Sequence, residues 1–105
     1  MPQVFEKSKD FSKEDLLFFD IETTGFTARS SDLYLIGCAY KEGENWHIKQ
    51  FFAENVSEEA DIIKAFFELA GNYTHLVHFN GNQFDLPYVT QKCKQLGLEY
   101  DFQNF

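Results

Sequence analysis

From Leu16 to Glu22 the chain reads Leu-Leu-Phe-Phe-Asp-Ile-Glu, with apolar side chains at both odd and even positions. A strand that turns apolar residues to both faces is the pattern of a central strand covered on each side. The ten residues that follow, Thr23 to Asp32, are rich in Thr, Gly and Ser and predict a loop. Leu33 to Tyr40 and Trp46 to Phe52 predict a second and a third strand, joined by a turn around Gly43 into a hairpin. Ser57 is placed to cap a helix whose first turn carries Glu58, Glu59 and Asp61, acids that suit the positive end of a helix dipole. Ile62, Ile63, Phe66, Phe67 and Ala70 give that helix an apolar stripe, and Gly71 ends it.

Thr74 to Phe79 predict a fourth strand, broken by Asn80 and Gly81. A last helix starts near Phe84, with Pro87 tolerated in its first turn, where proline removes only an unpaired donor. Leu86, Val89, Cys93 and Leu96 are its expected buried stripe and Gly97 its stop. The order of elements makes the first three strands antiparallel and the fourth parallel to the first after a helical crossover, an α/β layer fold. Residues 1–14 read as a peripheral lead-in, and the tail after Gly97 offers no closing element. The expectation is therefore one incomplete domain over 1–105, truncated, with strands and covering helices still to come. No repeat, low-complexity tract or linker divides it.

Composition supports a folded chain: 105 residues, 44% hydrophobic, with 13 Phe and 5 Tyr. No run approaches the ~18 apolar residues that span a bilayer, and the N-terminal stretch has no signal-peptide core, so the expected address is the cytoplasm, with no membrane partner. Cys38 and Cys93 stand far apart with no clustered His and read as reduced packing thiols. The net charge of -8 repels a polyanion, an objection that any nucleic-acid role has to meet.

Chemistry enters with Asp20 and Glu22. Side chains two apart on a strand point to the same face, so the two carboxylates lie side by side. Like charges ~4 Å apart at an effective dielectric constant of ~20 repel by about 4 kcal/mol, a cost that a divalent cation reverses. Hard oxygen ligands without Cys or a matched His favour Mg²⁺ or Mn²⁺. The alternative is that the strand has simply reached solvent at Asp20. Asp85 has the same two readings. In a sheet whose fourth strand lies beside the first, the start of the last helix comes next to Asp20 and Glu22, yet acids also occupy first helical turns for dipole reasons.

Phe18-Phe19-Asp20-Ile21-Glu22-Thr23-Thr24-Gly25, the Tyr34-Leu35-Ile36-Gly37 strand, and His78-Phe79-Asn80-Gly81-Asn82-Gln83-Phe84-Asp85 together resemble the first two motifs of the DEDD (DnaQ-like) exonucleases. Within these, the chain is most similar to the YprB-type ribonuclease H-like family, which pairs a Phe-Asp-Ile-Glu-Thr-Thr-Gly motif with Asn-Gly-x-x-Phe-Asp. The resemblance runs from about Leu16 to Gly97. It implies a ribonuclease H-like mixed sheet of order 3-2-1-4 with a fifth strand missing. It implies two Mg²⁺ or Mn²⁺ ions held by four carboxylates, which hydrolyse phosphodiesters from the 3′ end of single-stranded DNA or RNA. By matching position, Asp20 would bridge both ions, Glu22 would bind one and position the water, and Asp85 would bind the other. Thr23, Thr24 and Gly25 would face the terminal nucleotide, Phe26 would stack on a base, and Asn80 and Phe84 would line the cleft.

The family's fourth acid, with its His or Tyr neighbour, lies in a third motif with no match here. Tyr100-x-x-x-Asn104 has Asn where Asp is needed and follows too closely. His47, His75 and His78 read as strand side chains rather than bases, and Lys92 and Lys94 as a solvated face. The chain alone is thus expected to bind metal weakly and hydrolyse little, the site being completed by a C-terminal segment or another chain. Two bound ions adding +4 would ease the charge objection. The rival readings are a ribonuclease H-like binding or scaffold module that has lost catalysis, and an unrelated acidic α/β domain for protein partners.

Overall fold

The computed structural model describes residues 15–78, 84–100 and 102. Four strands form one sheet: β1 (Leu16–Thr23), β2 (Leu33–Glu42), β3 (Asn45–Phe52) and β4 (His75–Val77). Two helices accompany them, α1 (Glu59–Ala70) and α2 (Leu86–Leu96). The sheet order is β3-β2-β1-β4, with β1 antiparallel to β2 and parallel to β4. The expected order and strand directions are thus observed, and the central place of β1 follows from its run of apolar residues.

The tight hairpin between β2 and β3 turns at Gly43, whose φ of 63° is the left-handed conformation that a two-residue loop requires and glycine tolerates. Leu17, Phe19 and Ile21 point to one side of β1, where they pack with Ile36 and Cys38 of β2. Ile62, Ile63, Phe66, Phe67 and Ala70 of α1 join this cluster, as do Tyr88, Val89 and Cys93 of α2. Phe19 meets Phe66 with ring centroids 5.1 Å apart. Both helices therefore lie on one side of the sheet. The other side shows Trp46, Ile48 and Phe52 largely exposed, so among the described residues β1 is not covered on both faces as its composition predicts.

Three local expectations are corrected. Ser57 does not cap α1: the Asn55 side chain accepts from Ser57 N at 3.1 Å and opens a short 3-10 turn, Val56–Glu58, that leads into the helix. Both residues have short polar side chains suited to a cap, and Asn55 is the one with extended backbone dihedrals. The buried side of α2 is Tyr88, Val89, Lys92 and Cys93, with Leu86 and Leu96 only half-buried. Lys92 is accordingly interior, while Lys94 is exposed. The fourth strand is shorter than predicted, and its Phe79 end lies outside the described residues.

Gly97 ends α2 as expected, with φ 71° and its N–H directed back to the carbonyls of Cys93 and Lys94. A Cβ at this position would meet nothing within 4 Å, so Gly97→Ala carries only the conformational penalty of a left-handed residue. It is expected to cost about 1 kcal/mol, read as a lower urea midpoint at constant m-value.

Candidate metal and phosphodiester site

Asp20 and Glu22 stand exposed on the side of β1 opposite Phe19 and Ile21, in register with Gly37 and Leu35 of β2. Between Glu22 and Thr23 the register slips, because Leu35 and then Leu33 are the partners and Tyr34 is the extra residue of a β-bulge. A bulge increases twist and re-aims side chains, and this one lies at the acid pair. Beyond it the chain knits to itself. Thr24 N donates to Asp32 O at 2.9 Å and Asp32 N to Thr24 Oγ1 at 2.8 Å, while Thr23 Oγ1 donates to Gly25 O at 2.6 Å. Gly25 has no left-handed φ to explain it; the reason is space, since a Cβ there would come within 3.1 Å of the Ser31 Cβ. Phe26 projects from this loop 92% exposed.

Asp85 occupies the N-cap position of α2, yet its side chain makes no capping hydrogen bond. It is 2% exposed, and its Oδ2 has no hydrogen-bond partner among the described residues. Burial, then the charges of Asp20 and Glu22, push its carboxyl up to about 6. The two β1 acids are thus near enough to act on it, and the three share one neighbourhood. They are not gathered about a single point: among the described residues no group of three or more His, Cys, Asp or Glu side chains is close enough to hold one ion.

A buried polar cluster, which the sequence reading missed, lies beneath the loop. Lys92, 1% exposed, pairs with Glu59 Oε2 at 3.0 Å and donates to the Ser31 carbonyl at 2.6 Å. Glu59 Oε2 also accepts from Leu33 N at 2.8 Å, one residue from the bulge. Ser31 Oγ donates to Thr27 O at 2.6 Å and lies 2.8 Å from the Tyr88 hydroxyl. Glu59 thus serves as an interior acceptor rather than a dipole acid at the surface, and Lys92 as an interior donor. The only sequence signal was the spacing: Lys92 follows Val89 and Tyr88 by three and four, on their side of the helix.

The remaining candidates are placed as follows. Phe84 is half-buried with its ring 5.4 Å from that of Tyr88, and Asn80 lies outside the described residues. His47 stacks on Tyr40, and His75 sits in register with Leu16, about 13 Å along the strand from Asp20. His78 packs edge-on to Phe19, and burial lowers its imidazole pKa. Tyr100 stacks on Phe67 with centroids 4.7 Å apart, so its ring belongs to the α1 packing. Cys38 and Cys93 are free and buried, and burial pushes their thiols up to about 12 and about 11, as expected of packing thiols. A hollow of about 210 Å³ on the open face, lined by Phe18, Gly37, Ala39, Ile48 and Val77, reaches Asp20.

An orphaned, buried carboxylate oxygen with two further carboxylates in its neighbourhood suits a hard divalent cation, so the residues fit Mg²⁺ or Mn²⁺ in donor chemistry though not in spacing. Among the described residues no helix is long and apolar enough to cross a membrane.

Comparison with known proteins gives three similar DNA polymerases. That of Ostreid herpesvirus 1 (isolate France) is 36% identical over 53 residues, 49% of this chain and 3% of the polymerase. That of Pyrococcus glycovorans is 31% identical over 93 residues, 80% of this chain and 12% of the polymerase. That of Thermococcus kodakarensis (strain ATCC BAA-918 / JCM 12380 / KOD1) is 29% identical over 94 residues, 81% of this chain and 6% of the polymerase. The chain therefore spans only a small part of the length of these relatives. A family model described as RNase_H superfamily matches residues 17–105, which takes in the whole sheet except Leu16, both helices and all three acids. On that match and this sheet order, the chain belongs to the RNase H superfamily.

Proposed function

We propose that this domain carries the metal-binding acids of a two-metal-ion 3′-5′ exonuclease that hydrolyses phosphodiesters at single-stranded 3′ ends. The observation that carries the reading is Asp85: a buried carboxylate with an unpartnered oxygen, made harder to ionise by Asp20 and Glu22. Such an arrangement is costly unless a cation relieves it. Asp20, Glu22 and Asp85 hold the Mg²⁺ or Mn²⁺ ions, Thr23, Thr24 and Gly25 face the terminal nucleotide, Phe26 stacks on a base, and Phe84 and Asn80 contribute to the same cleft. When bound, the ions activate a water and stabilise the leaving oxygen. A fourth carboxylate and a general base come from outside the described residues, supplied by a further segment or another chain, so the 105 residues alone hydrolyse little. The reading places the domain in the cytoplasm, and DNA is the first substrate to test because the similar proteins are DNA polymerases.

A second reading, a nucleic-acid-binding or scaffold module that has lost catalysis, is favoured by one observation: the acids are not drawn together around one point. Titration with Mn²⁺, followed by loss of the free-ion paramagnetic resonance signal, separates the two. The exonuclease reading expects binding that Asp20→Asn weakens at least about tenfold. An affinity indifferent to that change sinks it. In the intact protein, 5′-labelled single strands are expected to shorten stepwise with Mg²⁺ or Mn²⁺, and not in the Asp20→Asn variant. Strands left whole under every condition point to the scaffold.

A further inference from the structure

The acids that the proposed function uses ride on two separate pieces of the fold. Asp20 and Glu22 sit on β1, the centre of the sheet, and Asp85 sits at the start of α2. Asp85, Tyr88 and Lys92 follow one another at spacings of three and four, so they share one side of α2. The second and third of these grip a single residue of the loop that leaves Glu22. Tyr88 bonds the Ser31 hydroxyl and Lys92 the Ser31 carbonyl, and a Cβ at Gly25 would come within 3.1 Å of the Ser31 Cβ. Glu59 fastens Lys92 from α1 and takes the N–H of Leu33 where β2 begins.

Helix and sheet are commonly held together by apolar packing, which fixes distance better than sliding register. A buried ion pair is a poor way to add stability, because desolvation offsets the attraction. It is a directional way to set the position of one element against another. We propose that Lys92, held by Glu59, is a positioning residue: by clasping Ser31 it sets α2 against the loop of residues 24–31, and so holds Asp85 in the neighbourhood of Asp20 and Glu22. The inference rests on the metal-site reading above, and Lys92 itself touches neither ion nor substrate.

Lys92→Met alone endangers the fold, so the test uses Glu59→Gln/Lys92→Met. This pair leaves no buried charge, keeps an acceptor for Leu33 N, and removes the donor to Ser31 O. Two readouts are taken on the full chain. Amide hydrogen exchange at Thr24 and Ser30 is expected to quicken at least about tenfold relative to Phe19 and Ile21 in the sheet. The Mn²⁺ dissociation constant is expected to rise about tenfold, with Tyr88→Phe shifting both quantities in the same direction by less. If the double variant is unfolded, Tyr88→Phe carries the test by itself. Loop exchange equal to the parent's overturns the inference, and so does parental Mn²⁺ affinity in a variant whose loop has been released. Failure of the metal reading looks different: the parent then binds no Mn²⁺, or Asp20→Asn binds as the parent does.

Discussion

Lys92→Met is expected to destabilise the chain by about 3 to 5 kcal/mol, the usual cost of stripping one partner from a buried ion pair. Glu59 would be left at 3% side-chain exposure without its cation, and the Ser31 carbonyl would lose its donor. Against the 5 to 15 kcal/mol typical of a domain, roughly a fifth or more of the stability goes. Urea unfolding measures it as a fall in midpoint with m unchanged. Glu59→Gln/Lys92→Met should recover most of the loss, since a neutral pair of similar length avoids the uncompensated charge. A single variant that costs less than about 1 kcal/mol would mean that Glu59 has found water, and that the pair is not interior.

Asp85→Asn is expected to act in opposite directions on folding and on metal binding. In the folded chain the Asp85 carboxyl is pushed up to about 6 from an ordinary 3.8, so between those values the folded state holds more protons than the unfolded one. Stability is therefore fully present below about pH 4 and declines as pH rises through 6, by about 3 kcal/mol in all. Asn does not titrate. The variant's advantage over the parent should grow by that amount from pH 4 to pH 7.5 in metal-free buffer, a difference in which the other acids cancel. Excess Mn²⁺ should reverse the order: at one thousand times its dissociation constant an ion stabilises the parent by about 4.1 kcal/mol, and the variant, having lost a ligand, much less. A stability gap flat with pH would remove the electrostatic account of Asp85. A reversal by Mn²⁺ that fails to appear would remove its role as a ligand.

These two residues also mark how far the amino-acid sequence could be read. The place of Asp85 at the start of α2 was legible because motif and topology agreed: a helix follows the strand that runs parallel to β1, and the charges of Asp20 and Glu22 act on its first carboxyl. The strand order was legible for a similar reason, since the apolar run of residues 16–19 suits a strand with neighbours on both edges. Lys92 and Glu59 were not. Each alone has an ordinary surface reading, a lone basic residue on a helix and an acid in a first turn, and what makes them interior is a partner on another helix. Polar burial is a property of pairs, and a window along one element contains half of each. Ser57 and Asn55 failed for a smaller reason: both can cap, and only the backbone dihedrals decide between them. The open face carrying Trp46, Ile48 and Phe52 was hidden because apolar content speaks of what could be covered rather than what is.

The contact between Gly25 and Ser31 changes what the third letter of Thr-Thr-Gly means. Along the chain it reads as a turn residue; in space it is half of a volume shared with a partner six positions on. A second Cβ would crowd the first at 3.1 Å, and Ser31 already holds the space. Relatives that carry a larger residue at the first place should be those that have given up theirs at the second, so a paired exchange, invisible to any search for contiguous letters, is where this loop keeps its memory of shape.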